Sequence, residues 1–227
     1  MINRILTYND STLTLEGQPL LRSFYLSDPS GGTITYDGQY NIHTFTSSGN
    51  FIVYDTPIDA SIMILAQGGS GGAADNTYFS SRSGGGGGAS GDIYFFNNQF
   101  SIGTEAVTIG SFPSGNTTFL SKTVYGGTSG TDGNASGFGR GGNGGNNTYY
   151  TGCNRVTNPS RSGGGGAGSN GGTNGTGGGA GVLSSISGSP VTYGTGGAGG
   201  SALVYTAENG NNGPLGTVII RYKSLER

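Results

Sequence analysis

Short runs rich in β-branched and aromatic residues recur along the chain, each closed off by Gly, Asn, Ser or Pro. They fall at residues 40–45 (YNIHTF), 50–55 (NFIVYD), 60–67 (ASIMILAQ), 92–97 (DIYFFN), 106–110 (AVTIG), 117–125 (TTFLSKTVY), 181–186 (GVLSSI), 190–194 (PVTYG), 201–205 (SALVY) and 216–222 (GTVIIRY). Such lengths and boundaries are strand signals. No stretch of useful length repeats apolar residues at i, i+3, i+4 and i+7, so essentially no α-helix is expected. The TSSGN between Phe45 and Phe51 reads as a hairpin loop. About ten short strands without helices predict an all-β fold, a β-sandwich or jelly roll.

Between these strands glycine takes over. Fifty of the 227 residues are glycine, and most lie in two tracts, 68–91 and 126–200. The first 38 residues have ordinary composition and a Pro/Gly-rich exit, DPSGG. They read as an attachment segment, 1–38, ahead of a glycine-rich sandwich domain, 39–227. Collagen is excluded, because GGGGG and GGTNGTGGGAG break its period of three. Two readings remain. Low-complexity tracts of this kind stay disordered when they cannot bury enough surface to order themselves. Alternatively, the tracts form extended polyglycine II helices, with three residues per turn and no internal hydrogen bonds. Their N–H and C=O groups point sideways and need partners. Without Cβ atoms, neighbouring helices can approach closely enough to supply them. Strands that pin both ends of each tract favour this second reading. Gly86 and Gly165, each inside a run of glycines, would then be scaffold positions where a Cβ enters a contact between backbones.

Composition narrows the function. Only 32% of residues are hydrophobic and 10% charged, so the core is thin. A net charge of −2 offers no basic footprint for nucleic acid. One cysteine, Cys153, excludes an internal disulfide framework, and one histidine, His43, excludes a histidine metal cluster. No apolar stretch approaches the ~18–20 residues of a membrane span. The opening MINRILTYNDSTLTLEG lacks the apolar core and cleavage site of a secretory signal. The expectation is a protein made in a cytoplasm, with no cofactor, no metal and no membrane insertion.

Catalytic signatures are weak. GTGGAG, Gly194 to Gly199, matches a dinucleotide-binding fingerprint, but the following GSALVYT is a strand and not a phosphate-receiving helix. No glycine run is followed by G-K-[ST]. A Ser-His-Asp triad could use only His43, which sits in an alternating strand pattern and reads as a hydrogen-bonded strand histidine. Asp55, Asp59, Asp92 and Glu105 lie near strand ends, where turn capping explains them. An enzyme is not expected.

Two loops share more than composition. NTYFSSRSGGGGG, from Asn76 to Gly88, and NTYYTGCNRVTNPSRSGGGG, from Asn147 to Gly166, each place an aromatic pair and an arginine before a glycine run. Tyr, Asn, Ser and Gly are the residues of adaptable binding loops. Tyr78, Phe79, Arg82, Asn147, Tyr149, Tyr150 and Arg155 are therefore the receptor-binding candidates. Aromatic faces and amides suit saccharides. The competing reading packs these rings on the glycine surface, with Arg82 and Arg161 satisfying carbonyls at helix ends.

The succession YNIHTFTSSGNFIV, IMILAQGGSGG, GGAGVLSSISGSPVTYGTGGAGG and GTVIIRY resembles the glycine-rich domain of bacteriophage tail and fibre proteins, over residues 39 to 227. A similar arrangement occurs in the glycine-rich region of anaplastic-lymphoma-kinase-type receptors, where a TNF-like sandwich carries polyglycine helices. More loosely, the chain is similar to the glycine-rich adhesins that tip T-even phage long tail fibres. The resemblance implies a TNF-like or jelly-roll sandwich with an inserted polyglycine II bundle. It also implies a virion protein released by lysis, most simply a tail-fibre or tail-tip receptor-binding protein. Its expected partners are other virion proteins and a host cell-surface glycan or outer-membrane protein. Assembly is expected as a homotrimer or on a trimeric fibre. The alternative is a structural fibre, collar or capsid-decoration protein docking through residues 1–38.

Overall fold

In a computed structural model of the chain, the described residues are 27–75, 84–133, 148, 177–200, 208 and 210–225, with the backbone of three short strands nearer the N-terminus. Those strands, β1 (Thr7–Asn9), β2 (Thr12–Leu15) and β3 (Gln18–Pro19), form an antiparallel sheet of their own. Eleven more follow: β4 (Thr33–Asp37), β5 (Tyr40–Phe45), β6 (Gly49–Val53), β7 (Ile58–Leu65), β8 (Ile93–Phe100), β9 (Gly103–Thr108), β10 (Thr117–Phe119), β11 (Lys122–Val124), β12 (Val182–Ser184), β13 (Val191–Tyr193) and β14 (Thr217–Lys223). No described residue is helical. The fold is all-β, with every strand pair antiparallel.

Two sheets enclose the core. The larger has the order β4-β5-β14-β7-β8, and the smaller β11-β10-β9-β6. Strand β7 shows why the chain layers this way. Ile58, Ala60, Ile62 and Ile64 alternate into a cluster with Phe45, Phe51, Phe100, Phe119, Val218 and Ile220, drawn from both sheets. The rings of Phe51 and Phe100 meet edge-on at 5.1 Å, and Phe100 reaches Phe119 at 5.9 Å. On the opposite face of β7, Asp59 and Ser61 are exposed while Met63 and Leu65 are buried. Met63 and Leu65 join a second cluster with Ile42, Ile219 and Ile186, the last lying just after β12. The β12–β13 pair thus covers one half of the larger sheet's outer face and leaves the other half open. Strand β7 is apolar on both faces only where both are covered.

Several sequence expectations shift. TSSGN is not a hairpin loop: β5 pairs with β4 and β14, whereas β6 pairs with β9 in the other sheet. The segment carries the chain across the sandwich, which lets Phe45 and Phe51 enter the same core from opposite layers. Ser48 secures this corner by accepting the Ile109 amide at 3.0 Å. Residues 117–125 form two strands, with Leu120 in the turn at φ 53. The sandwich also begins before residue 39, because β4 completes the edge beside β5 in the register Thr33↔Thr44 to Asp37↔Tyr40. Upstream, Ser30 and Ile52 exchange backbone bonds of 2.9 and 3.0 Å. Gly31 then turns the chain at φ 115, where a Cβ would strike the Asn50 carbonyl. The strand expected at 201–205 lies outside the described residues.

Glycine segments continue directly from the strand ends, and their hydrogen bonds form ladders. Ala66, Gly69 and Gly72 donate to the carbonyls of Asp92, Ala89 and Gly86 at 3.0, 2.8 and 2.7 Å. Gly86, Ala89 and Asp92 donate onward to Thr131, Thr128 and Tyr125 at 2.9, 3.0 and 2.9 Å. Gly127, Gly130 and Gly133 donate to Gln67, Ser70 and Ala73, closing a three-segment set. On another side, Gly85 and Gly88 donate to Glu208 and Asn211, and accept from Gly200 and Gly197. Each ladder advances three residues at a time, the period of an extended threefold helix. Residues 84–92 sit at the centre and are buried throughout. A Cβ on Gly85, Gly88 or Gly91 would fall on the carbonyl oxygen of Gly72, Gly69 or Ala66 respectively. That row must be glycine. Side chains enter the segment only as it nears β8, at Ala89, Ser90 and Asp92.

Candidate functional site

The ladders fix where each expected binding loop leaves the scaffold. Ala66 pairs with Asp92 next to the sheet, and Gly72 pairs with Gly86 further out. Asp75 and Gly84, which flank residues 76–83, therefore belong to the end of the glycine segments remote from the sandwich. Tyr78, Phe79 and Arg82 lie within 76–83, outside the described residues.

One residue of the second loop is held beside the sheet. Thr148 donates its amide to Asp92 Oδ1 at 2.9 Å. Asn147, Tyr149, Tyr150, Arg155 and Gly165 themselves lie outside the described residues. The described segment leading to the second loop ends at Gly133, which donates to Ala73 at 2.8 Å, so both loops are entered from the remote end of the scaffold. Thr148 adds one contact beside the sheet.

Asp92 is well placed to hold that contact. Its backbone is fixed on both sides: its amide donates to Tyr125 at 2.9 Å and its carbonyl accepts from Ala66 at 3.0 Å. Its side chain is buried, so its carboxylate is an acceptor on a rigid mount. Next to it lies a hollow of about 230 Å³ lined by Asp92, Tyr94, Lys122, Thr123, Tyr125 and Thr148. Tyr94 is 44% exposed and Tyr125 56%. The Lys122 ammonium stands 5.9 Å from the Tyr94 ring centroid, and Tyr94 leans on Phe96 at 5.5 Å. Open aromatic faces beside a cation can stack on a flat, hydroxyl-bearing ligand. Sequence reading placed Tyr94 and Tyr125 in strands and did not single them out. The signal was available: consecutive aromatics in DIYFFN point to opposite faces of their strand, and β8 is a sheet edge.

His43 occupies the core. Its ring is fully buried, with Nδ1 2.7 Å from the Gly31 carbonyl and Nε2 3.1 Å from the Tyr222 hydroxyl. Since the carbonyl only accepts, Nδ1 carries the proton, Nε2 accepts from Tyr222, and Tyr222 accepts from Asn41 Nδ2 at 3.2 Å. The ring also meets Phe51 edge-on at 5.1 Å. Burial holds the imidazole below its ordinary pKa, against weaker opposing effects of the Gly31 carbonyl and Asp28. Burial likewise pushes the Tyr222 phenol up to about 12. This chain of polar groups joins β5, β14 and the Gly31 turn, as a hydrogen-bonded strand histidine should.

Among the described residues, no three His, Cys, Asp or Glu side chains are placed to hold a metal ion. No helix among them is long and apolar enough to cross a membrane. No protein-family model matches the chain, and no curated protein matches it.

Proposed function

We propose that this protein is a bacteriophage virion component, a tail-fibre or tail-tip protein whose loops contact the host cell surface from a polyglycine scaffold. The observation that supports this most is the three-residue ladder around residues 84–92. A scaffold of backbone alone, bonded on several sides, holds loop ends in fixed positions while leaving loop sequence free to vary. The receptor contacts are Tyr78, Phe79 and Arg82 in the first loop, and Asn147, Tyr149, Tyr150 and Arg155 in the second. The receptor is a surface glycan or outer-membrane protein, and the chain acts without catalysis. The segment ahead of Ser30 docks on other virion proteins, and the sandwich assembles as a homotrimer or on a trimeric fibre. Among the described residues β1–β3 pair with one another and not with the sandwich, which is consistent with a docking role.

The test is competition. Purified protein should block adsorption of the phage that carries it. Tyr78→Ala and Tyr149→Ala should each weaken attachment by about 1–3 kcal/mol, tenfold to a hundredfold. Melting temperature should hardly move, because residues of a binding loop contribute little to the fold. Loss of stability with attachment intact would instead favour the structural fibre, collar or decoration role.

A further inference from the structure

The outer face of the larger sheet carries a second feature, unrelated to the loops. Where β12 and β13 stop covering it, two adjoining hollows of about 570 and 500 Å³ share Tyr40, Ser61, Asn97 and Arg221. Together they form one trough running across β5, β14, β7 and β8, about 14 Å wide at ordinary strand spacing. Its side chains follow from register. Arg221 lies opposite Ser61, and Ser61 opposite Asn97, so all three point to the same face. On β8 the same face presents Phe95, Asn97 and Gln99 in succession, all exposed.

A plain solvated sheet face would be rich in Thr, Lys and Glu, with its aromatics turned inward. Here aromatic rings stand open at both ends: Tyr40 is 40% exposed and Phe95 39%. Between them the polar groups are already oriented. The Ser61 hydroxyl donates to Asn97 Oδ1 at 2.9 Å, which leaves the Asn97 Nδ2 to donate into the trough. Arg221 is held from three directions. Its Nη2 meets Asp37 Oδ2 at 2.7 Å, its Nη1 donates to the Ser185 carbonyl at 2.8 Å, and its guanidinium lies 4.2 Å over the Tyr40 ring.

We propose that this trough is a binding site for a neutral oligosaccharide. Its strongest charge is neutralised in place by Asp37, so an anionic ligand gains little there. The remaining lining groups are amides and a hydroxyl, which match sugar hydroxyls, with one further charge of each sign, Asp59 and Lys223, so the trough carries no net charge. Flat rings at the two ends match sugar C–H faces. The site is separate from the loops assigned to receptor contact, and it stands whether or not they bind.

The experiment uses the full chain and a panel of short neutral hexose and N-acetylhexosamine oligosaccharides, with sialylated and sulfated counterparts, read by saturation-transfer NMR and calorimetry. Neutral members should bind. Asn97→Ala and Phe95→Ala should each weaken that binding about tenfold, as expected for anchor groups, with melting temperature unchanged. Tyr149→Ala should leave it intact. The proposal is overturned if no neutral member binds, if only charged members bind, or if Tyr149→Ala removes binding that Asn97→Ala spares. Host adsorption measured on the same variants separates failure of the trough from failure of the loops.

Discussion

Replacing Gly88 with alanine tests the glycine ladders with a single methyl group. Gly88 donates to Asn211 at 2.9 Å and accepts from Gly197 at 2.8 Å, so its backbone is held from two sides. Its new Cβ would sit on the Gly69 carbonyl, whose own residue donates to Ala89 at 2.8 Å. The backbones must move apart. Overpacking of this kind costs about 1–3 kcal/mol. Two stretched or broken hydrogen bonds add about 1 kcal/mol each. Against this, alanine restricts the unfolded chain and returns about 0.4–1 kcal/mol. The net is a loss of about 3 kcal/mol, which for a chain of this size lowers the melting temperature by about 10 °C. Gly177→Ala is the matched control, since a Cβ there meets none of the described residues within 4 Å. It should be neutral or raise the melting temperature by a degree or two, roughly. Calorimetry of both variants decides. If Gly88→Ala melts at or above the parent temperature, the close approach of backbones argued for residues 84–92 is wrong.

Other outcomes follow from the same contacts. Because burial holds His43 below its ordinary 6.5, the unfolded chain takes up a proton that the folded chain refuses. The contribution is fully present above pH 6.5 and is lost as pH falls toward the folded pKa. The stability gap between the parent and His43→Phe, from urea midpoints, should narrow on acidification; a widening gap contradicts the assignment. Tyr222→Phe takes the hydroxyl partner from His43 Nε2 and leaves Asn41 Nδ2 only Asp28 Oδ1, and chemical denaturation should show a loss of about 1–3 kcal/mol. Asp92→Ala removes the acceptor of the Thr148 amide, so limited proteolysis should cut faster near residue 148; an unchanged rate would refute the anchoring role.

Much of the sandwich was legible because its strands obey local rules. YNIHTF matches β5 to the residue, and IMIL in β7 declares burial on both faces before the covering pair is known. What escaped was decided by tertiary pairing. TSSGN has the composition of a hairpin, yet β5 is already flanked by β4 and β14, so the chain had to cross to the other sheet. β4 was missed because TITYD is short and follows DPSGG, which reads as an exit and not an entry. The glycine tracts could be read only as a choice between disorder and lateral pairing. The choice depends on carbonyls more than a hundred positions away, such as Asn211 for Gly88. The candidate loops were found by likeness to each other, but likeness in sequence carries no information about position. The Gly133–Ala73 bond near the first loop's start and the Thr148–Asp92 bond beside the sheet are both long-range contacts. The trough was invisible for a related reason: Tyr40, Ser61, Asn97 and Arg221 come from four strands and meet only through register.

Amide hydrogen exchange across residues 84–92, in the intact protein, tests the scaffold most directly. The ladders predict that Gly85, Gly86, Gly88 and Ala89, each donating to a named carbonyl, exchange as slowly as the buried amides of β7 and β14. Local unfolding of so central a segment would require opening several neighbours at once. Exchange of these four amides at random-coil rates, with the strands still protected, would contradict the scaffold and the function built on it.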